Sequence, residues 1–181
     1  ILSGQSEREI FENLENIKPV RGRMELAATK KNGATIYVDY AHTPDAIEVA
    51  LKSLKPHVLG KLIIIIGAGG ERDKGKRPLM GAAAEKNSDF VIITDDNPRN
   101  ENPSVIHQMI KNGTQDDSKV SVIADRAEAI LKAVALLEEG DGLLIAGKGH
   151  ETEQVIGENN FPFDDFEQAS LSVASLDGIE K

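Results

Sequence analysis

The sequence predicts an α/β protein: an open, mostly parallel, Rossmann-like sheet with helices on both faces. Five short segments, Thr35–Asp39, Lys61–Ile66, Phe90–Thr94, Val120–Ala124 and Leu143–Ala146, are rich in Ile and Val and almost continuously apolar. Strands covered on both faces look like this. Stretches carrying helix-start signals lie between them. Strand–helix alternation at this spacing makes parallel βαβ units.

In chain order, Ser6 and Glu9 form a capping-box pattern ahead of Ile10, Leu14 and Ile17, so a helix is expected before Pro19. After the first strand, Thr43 and Pro44 open a helix that places Ile47, Ala50, Leu51 and Leu54 on one face. The Ala-rich run Leu79–Lys86 follows the second strand and favours helix. Asn102-Pro103 starts another helix through Ile110, and Asp125 with Glu128 caps one that carries Ile130, Val134 and Leu137. Beyond Gly149 comes a polar stretch, then Phe161–Phe163, then a final helix over about 164–174.

Composition sets the boundaries of function. The chain has 181 residues, 21 Lys and Arg against 30 Asp and Glu, and a net charge of −9. That balance argues against a protein that coats nucleic acid, whose affinity comes from neutralising phosphates. There is no cysteine, hence no disulfide framework and no thiol chemistry. The longest apolar run, Leu62–Ile66, is far too short to span or insert into a bilayer. No secretory signal opens the chain, and Ile1 stands where Met would begin a complete one. A cytoplasmic globular domain, cut from something longer, is the expectation.

In open α/β sheets, ligands bind beyond the carboxyl ends of the strands. Asp39–Pro44 follows the first strand, Gly67–Arg77 the second, Asp95–Arg99 the third and Gly147–Glu151 the fifth. Four of five strand ends are therefore dense in glycine or polar groups, and they should open onto one edge. Gly70–Lys76 and Gly142–Lys148 nearly match a nucleotide P-loop, but Arg77 and Gly149 stand where its hydroxyl belongs. Neither is one. The Gly67–Gly70 run reads equally as a tight turn.

Residues 72–77 hold four cations in an acidic chain, which suggests an anionic group; a solvated loop paired to Glu71 and Asp73 is the alternative. Asp96, Asn97, Pro98 and Arg99 supply acceptor, amide, rigid turn and cation, enough for an amino acid's two charged ends, or an ordinary turn. His150 and Glu151 begin like a zinc-protease motif, but Gln154 breaks it, so no metal site is expected. Glu151 can receive an ammonium. His42 reads either as a catalytic or phosphate-facing group or as a loop histidine.

These segments, with Gly22-Arg23-Met24-Glu25 ahead of them, occur in the order seen in the Mur ligases that build the peptidoglycan stem peptide. Over about residues 20 to 165 the chain resembles that family, most of all the branch that adds the third amino acid. The resemblance implies that residues 20–181 are a C-terminal ligase domain that binds the incoming amino acid. Residues 1–19 would be the tail of a central ATPase domain, or a linker helix. It implies ATP and Mg²⁺ as cofactors of the full-length enzyme, held mainly by the central domain. ATP phosphorylates the carboxylate of UDP-MurNAc-dipeptide, and the amino acid's amine displaces phosphate from the acyl phosphate. By resemblance, Arg72, Asp96, Asn97, Pro98, Arg99, Gly147 and Glu151 bind the amino acid. Arg23, Asp39 and His42 face the nucleotide, with Asp39 and His42 in the catalytic role. The Asp-Asn-Pro-Arg form goes with meso-diaminopimelate, whose second carboxylate suits Arg99 and Arg72. Lanthionine would keep both ends; lysine and folate adders fit less well. A stand-alone amino-acid-binding module is the reading from a different class.

Overall fold

The structure, a computed structural model, describes residues 19–178 together with Arg8 and Phe11. The helix expected over Ser6, Glu9, Ile10, Leu14 and Ile17 lies outside the described residues. Six strands form one sheet: β1 (Glu25–Thr29), β2 (Thr35–Asp39), β3 (Leu62–Ile66), β4 (Phe90–Ile93), β5 (Val120–Val122) and β6 (Gly142–Ala146). Their order is β1-β2-β6-β3-β4-β5. All neighbours are parallel except β1, which pairs antiparallel to β2 at the edge. The five expected strands are present, each within two residues of its expected end.

Helices α1 (Pro44–Leu54), α2 (Lys76–Asn87), α3 (Pro103–Lys111), α4 (Arg126–Leu136) and α5 (Asp165–Asp177) cover the sheet. Alternation along β3 divides the core. Leu62, Ile64 and Ile66 face α1, α2 and α3, with Leu144 and Val91 alongside. Ile63 and Ile65 face α4 and α5, with Leu143 and Ile145. A strand buried on both faces can afford no polar position, which is why β3 and β6 read as unbroken apolar runs. Polar caps start the helices as expected. Thr43 accepts from Ala46 N, Asn102 from Ser104 N and Asp125 from Glu128 N. In α1, Ile47, Ala50, Leu51 and Leu54 are the buried residues.

Three features were not foreseen. Strand β1 is short and half-exposed, so it has no continuous apolar signature. The polar stretch after Gly149 is a hairpin, β7 (Glu153–Ile156) with β8 (Asn159–Pro162), turning at Gly157. Helix α2 begins at Lys76 rather than Leu79, and α5 runs on to Asp177. No helix among the described residues is long and apolar enough to cross a membrane.

Behind the sheet edge lies a buried ion pair. Arg126, at the first position of α4, is 1% exposed, and Asp165, at the first position of α5, is fully buried. Arg126 Nε and Nη2 donate to the two Asp165 oxygens at 2.7 Å each. Its remaining N–H groups reach Asp95 O (3.2 Å), just past β4, and Ala146 O (3.0 Å), at the end of β6. Burial alone would lower the guanidinium's pKa, but Asp165 more than offsets it and the net shift is upward. Asp165→Ala should therefore destabilise the fold by about 3–5 kcal/mol, because it strands a buried charge, whereas Arg126→Met with Asp165→Leu should cost far less. Urea unfolding of the two variants checks this.

Candidate functional site

The four polar strand ends converge. The loops after β2, β3, β4 and β6 surround a cleft of about 200 Å³. Tyr40 and His42 come from the first loop, Gly67, Ala68, Gly69 and Arg72 from the second, with Lys76 at the start of α2. Asp96, Asn97 and Arg99 follow β4, and Gly147 and Glu151 follow β6. Parallel strands in register end at one level, so residues remote in sequence meet there.

Asp96 sits between two glycines. Its Oδ1 accepts from Asn97 N at 2.7 Å. A Cβ on Gly147 would lie 2.8 Å from Asp96 Oδ2, and Gly147 has φ +113°, so both space and backbone demand glycine there. Arg99 is held in an unusual conformation. Its φ is +51°, costly for a side chain of that size. The β7 strand fixes it: Arg99 N donates to Val155 O (3.1 Å) and Gly157 N donates to Arg99 O (2.8 Å). Nη1 donates to Gly70 O at 2.9 Å, which sets the guanidinium across the cleft toward the β3 loop. The unforeseen hairpin is thus the brace of a residue singled out from sequence.

Asn97 is only 6% exposed and held by three side-chain hydrogen bonds. Its Oδ1 accepts from Val155 N and from Lys148 Nζ, each at 3.0 Å, and its Nδ2 donates to Glu151 Oε2 at 2.9 Å. Lys148 Nζ also donates to Glu151 Oε2 at 3.0 Å. Glu151, expected to receive an ammonium, already receives one from its own chain. Lys148 is fully buried and was not singled out; a lysine between two glycines in a loop carries no sequence signal of burial.

The basic segment breaks into separate roles. Arg77 is fully buried, with Nη1 and Nη2 each 3.0 Å from a Glu101 oxygen and Nη2 also on Gly69 O. It is a strut beneath the Gly-rich loop. Lys74 lies 3.4 Å from Glu101, and Lys76 Nζ donates to His42 O. Neither Glu71 nor Asp73 is their partner: Glu71 accepts from Asn100 and Asp73 from Gly75 N. Among the described residues Arg72 makes no ion pair, and it faces the cleft.

The remaining candidates lie at or beyond the rim. The Arg23 guanidinium stands 4.7 Å over the Tyr40 ring, and His42 packs edge-on to that ring at 4.6 Å. His42 Nδ1 is 2.8 Å from Tyr40 O. Asp39 is turned inward: its oxygens accept from Ala41 N (2.8 Å) and Met24 N (2.7 Å), and it does not line the cleft. Pro98 does not line it either; its carbonyl accepts from Glu101 N. Gly22 has φ +68°, and a Cβ there would be 2.1 Å from His150 N, so this turn presses directly on the β6 loop. No group of three His, Asp or Glu side chains able to hold a metal occurs among the described residues.

An open, mostly parallel sheet with helices on both faces, whose strand ends bring guanidinium and carboxylate groups to one cleft, defines a Rossmann-like α/β domain. The chain belongs to the Mur ligase family: residues 22–149 match the family described as Mur ligase, glutamate ligase domain. It is 47% identical over 173 residues to the UDP-N-acetylmuramoyl-L-alanyl-D-glutamate–2,6-diaminopimelate ligase of Bradyrhizobium diazoefficiens, covering 96% of this chain and 35% of that one. Against the ligase of the same name from Synechococcus elongatus it is 50% identical, over 86% of this chain and 31% of the other. A solved structure of such a 2,6-diaminopimelate ligase superposes with a TM-score of 0.82 at 37% identity, over 97% of this chain and 36% of that one. The chain spans about a third of the length of the curated relatives it matches.

One carboxylate at the foot of the site has a measurable signature. Hydrogen bonds from Arg77, then from Glu71 N, hold the Glu101 carboxyl down to about 2 from its usual 4.5. A depressed carboxyl stabilises the fold above its unfolded pKa, and that contribution is lost as pH falls through the folded one. Stability should fall between pH 4.5 and about 2, and Glu101→Gln should flatten that segment of the curve. Urea midpoints measured across the range test it.

Proposed function

We propose that residues 20–181 are the C-terminal, amino-acid-binding domain of an ATP-dependent, cytoplasmic amide ligase. In this reading residues 1–19 end the preceding ATPase domain. The incoming amino acid is meso-diaminopimelate, and the acceptor is UDP-MurNAc-dipeptide, bound by the rest of the enzyme. One observation carries the reading: two guanidinium groups, Arg72 and Arg99, and two carboxylates, Asp96 and Glu151, line one small cleft. That set matches an amino-acid end bearing both ammonium and carboxylate. The relatives named for 2,6-diaminopimelate support this choice, since that amino acid has such an end in addition to its reacting amine.

Arg99 and Arg72 pair the distal carboxylate, while Asp96 Oδ2 and Glu151 take the ammonium beside it. The Gly147 position lets substrate approach the backbone closely, since no Cβ fits. Holding one end this firmly presents the other amine to the acceptor's carboxyl carbon, so this domain contributes chiefly by orientation. The nucleotide supplies the phosphoryl group that activates that carboxyl. Arg23 and His42, a cation and an imidazole on the exposed rim, fit its phosphates. Asp39 supports them from behind by bonding the backbone of the His42 loop. The described residues do not fit a resident Mg²⁺, since they bring together no group of three acidic or histidine side chains.

Lysine would leave the two arginines without a counter-charge, a desolvation penalty that favours the dicarboxylic acid. In the full-length ligase, Arg99→Ala should lower kcat/KM for meso-diaminopimelate by about a hundredfold while KM for ATP stays within about twofold. Steady-state kinetics with each substrate varied decides it. Equal loss for both substrates would remove the carboxylate argument.

A further inference from the structure

We infer that Lys148 is a positioning residue for the amino-acid site, and that it acts through Glu151. The inference rests on the reading of the cleft given above. Lys148 is fully buried, a costly state for an ammonium unless it is paired and hydrogen-bonded. It is paired: Nζ donates to Glu151 Oε2 and to Asn97 Oδ1, each at 3.0 Å. Asn97 Nδ2 adds a second donor to the same Glu151 oxygen at 2.9 Å. Among the described residues, Oε1 takes no hydrogen bond, and Glu151 lines the cleft. One carboxylate oxygen is therefore pinned by two donors from behind, and the other is left for a ligand's ammonium.

The same cation fixes the neighbouring amide. Asn97 Oδ1 accepts from Lys148 and from Val155 N, which fixes the amide plane and turns one Nδ2–H toward Glu151. Asn97 therefore supports the site through its Oδ1 and one of its two Nδ2 N–H groups. A buried network of this kind stays rigid only while every member is satisfied. Removing the ammonium leaves Glu151 Oε2 with a single donor, Asn97 Nδ2, and Asn97 Oδ1 with a single donor, Val155 N, so both side chains are held less firmly. The loss should appear in amino-acid binding and not at the nucleotide rim, because Arg23 and His42 touch none of these groups.

The test uses the full-length ligase with Lys148→Met, Lys148→Gln and Glu151→Gln, and a cycle combining the first and last. Lys148→Met should raise KM for meso-diaminopimelate about tenfold while KM for ATP and kcat stay within about twofold, the size of one lost charge-assisted hydrogen bond. Lys148→Gln retains a donor and should recover part of the loss. In the Glu151→Gln background, Lys148→Met should add less than about twofold, since coupled residues do not act independently. A uniform rise in every KM, or fully additive effects with Glu151→Gln, overturns the inference and leaves Lys148 a structural strut. Should Lys148→Met fail to fold, Lys148→Gln decides, and an unchanged amino-acid KM counts against the role. If Glu151→Gln itself leaves the diaminopimelate KM unchanged, the amino-acid reading of the cleft fails. If Glu151→Gln impairs binding and Lys148→Met does not, only the role of Lys148 fails.

Discussion

The buried guanidinium of Arg126 is the constraint on which the binding edge depends. It joins α4 to α5 through Asp165, and it holds Asp95 O, two residues past β4, and Ala146 O, at the end of β6. The next residue after each of those carbonyls, Asp96 and Gly147, belongs to the cleft. Strand ends have unpaired carbonyls, and buried ones need a donor. A guanidinium has five N–H groups in a plane, so one side chain serves two strands and a carboxylate together. Such a pair adds little net stability over an apolar replacement, but it fixes which groups are adjacent. The spacing between the β4 and β6 loops is set behind the site, out of reach of solvent.

A second layer of fixed groups stands in front of it. Arg77 braces the Gly-rich loop through Gly69 O and Glu101, Lys148 braces Glu151, and the β7–β8 hairpin braces Arg99. Each brace is buried or part of a backbone ladder, and each supports a group that faces the cleft. One of these supported residues, Arg99, is held at a positive φ that costs a side chain of its size. Binding charged ends of an amino acid favours such rigidity, because groups already in place lose little entropy on contact.

The sheet was legible in the sequence because β3 and β6 are buried on both faces and can contain only apolar residues. The convergence of four loops followed from the topology, since parallel strands aim their carboxyl ends at one edge. What was not legible depends on partners distant in sequence. Lys76 and Arg77 are adjacent cations, yet one lines the cleft and the other is a buried strut, a difference made by Glu101 and the packing of α3. Lys148 is buried because Asn97 and Glu151 come to it. The hairpin residues 153–162 are polar and largely exposed, with no apolar alternation to announce strands. The resemblance sets Asp39 facing the nucleotide, but its spacing to Ala41 also suits a turn that closes on its own backbone, and its oxygens go to Ala41 N and Met24 N.

The balance of charge at the edge then bears on which ligand it suits. The cleft is lined by three cations, Arg72, Lys76 and Arg99, against two carboxylates, Asp96 and Glu151. Lys148 stands directly behind, already answering one of the two. The chain as a whole is acidic at −9, so this surplus of positive charge is local and built. A ligand bringing only an ammonium would add to the surplus, and one bringing a carboxylate alone would leave Asp96 unanswered. A zwitterionic end satisfies both at once, with the carboxylate toward the arginines and the ammonium toward Asp96 and Glu151. On the proposed reading, discrimination rests less on shape than on the cost of leaving a fixed charge desolvated and unpaired, which is where polar sites reject wrong ligands most strongly.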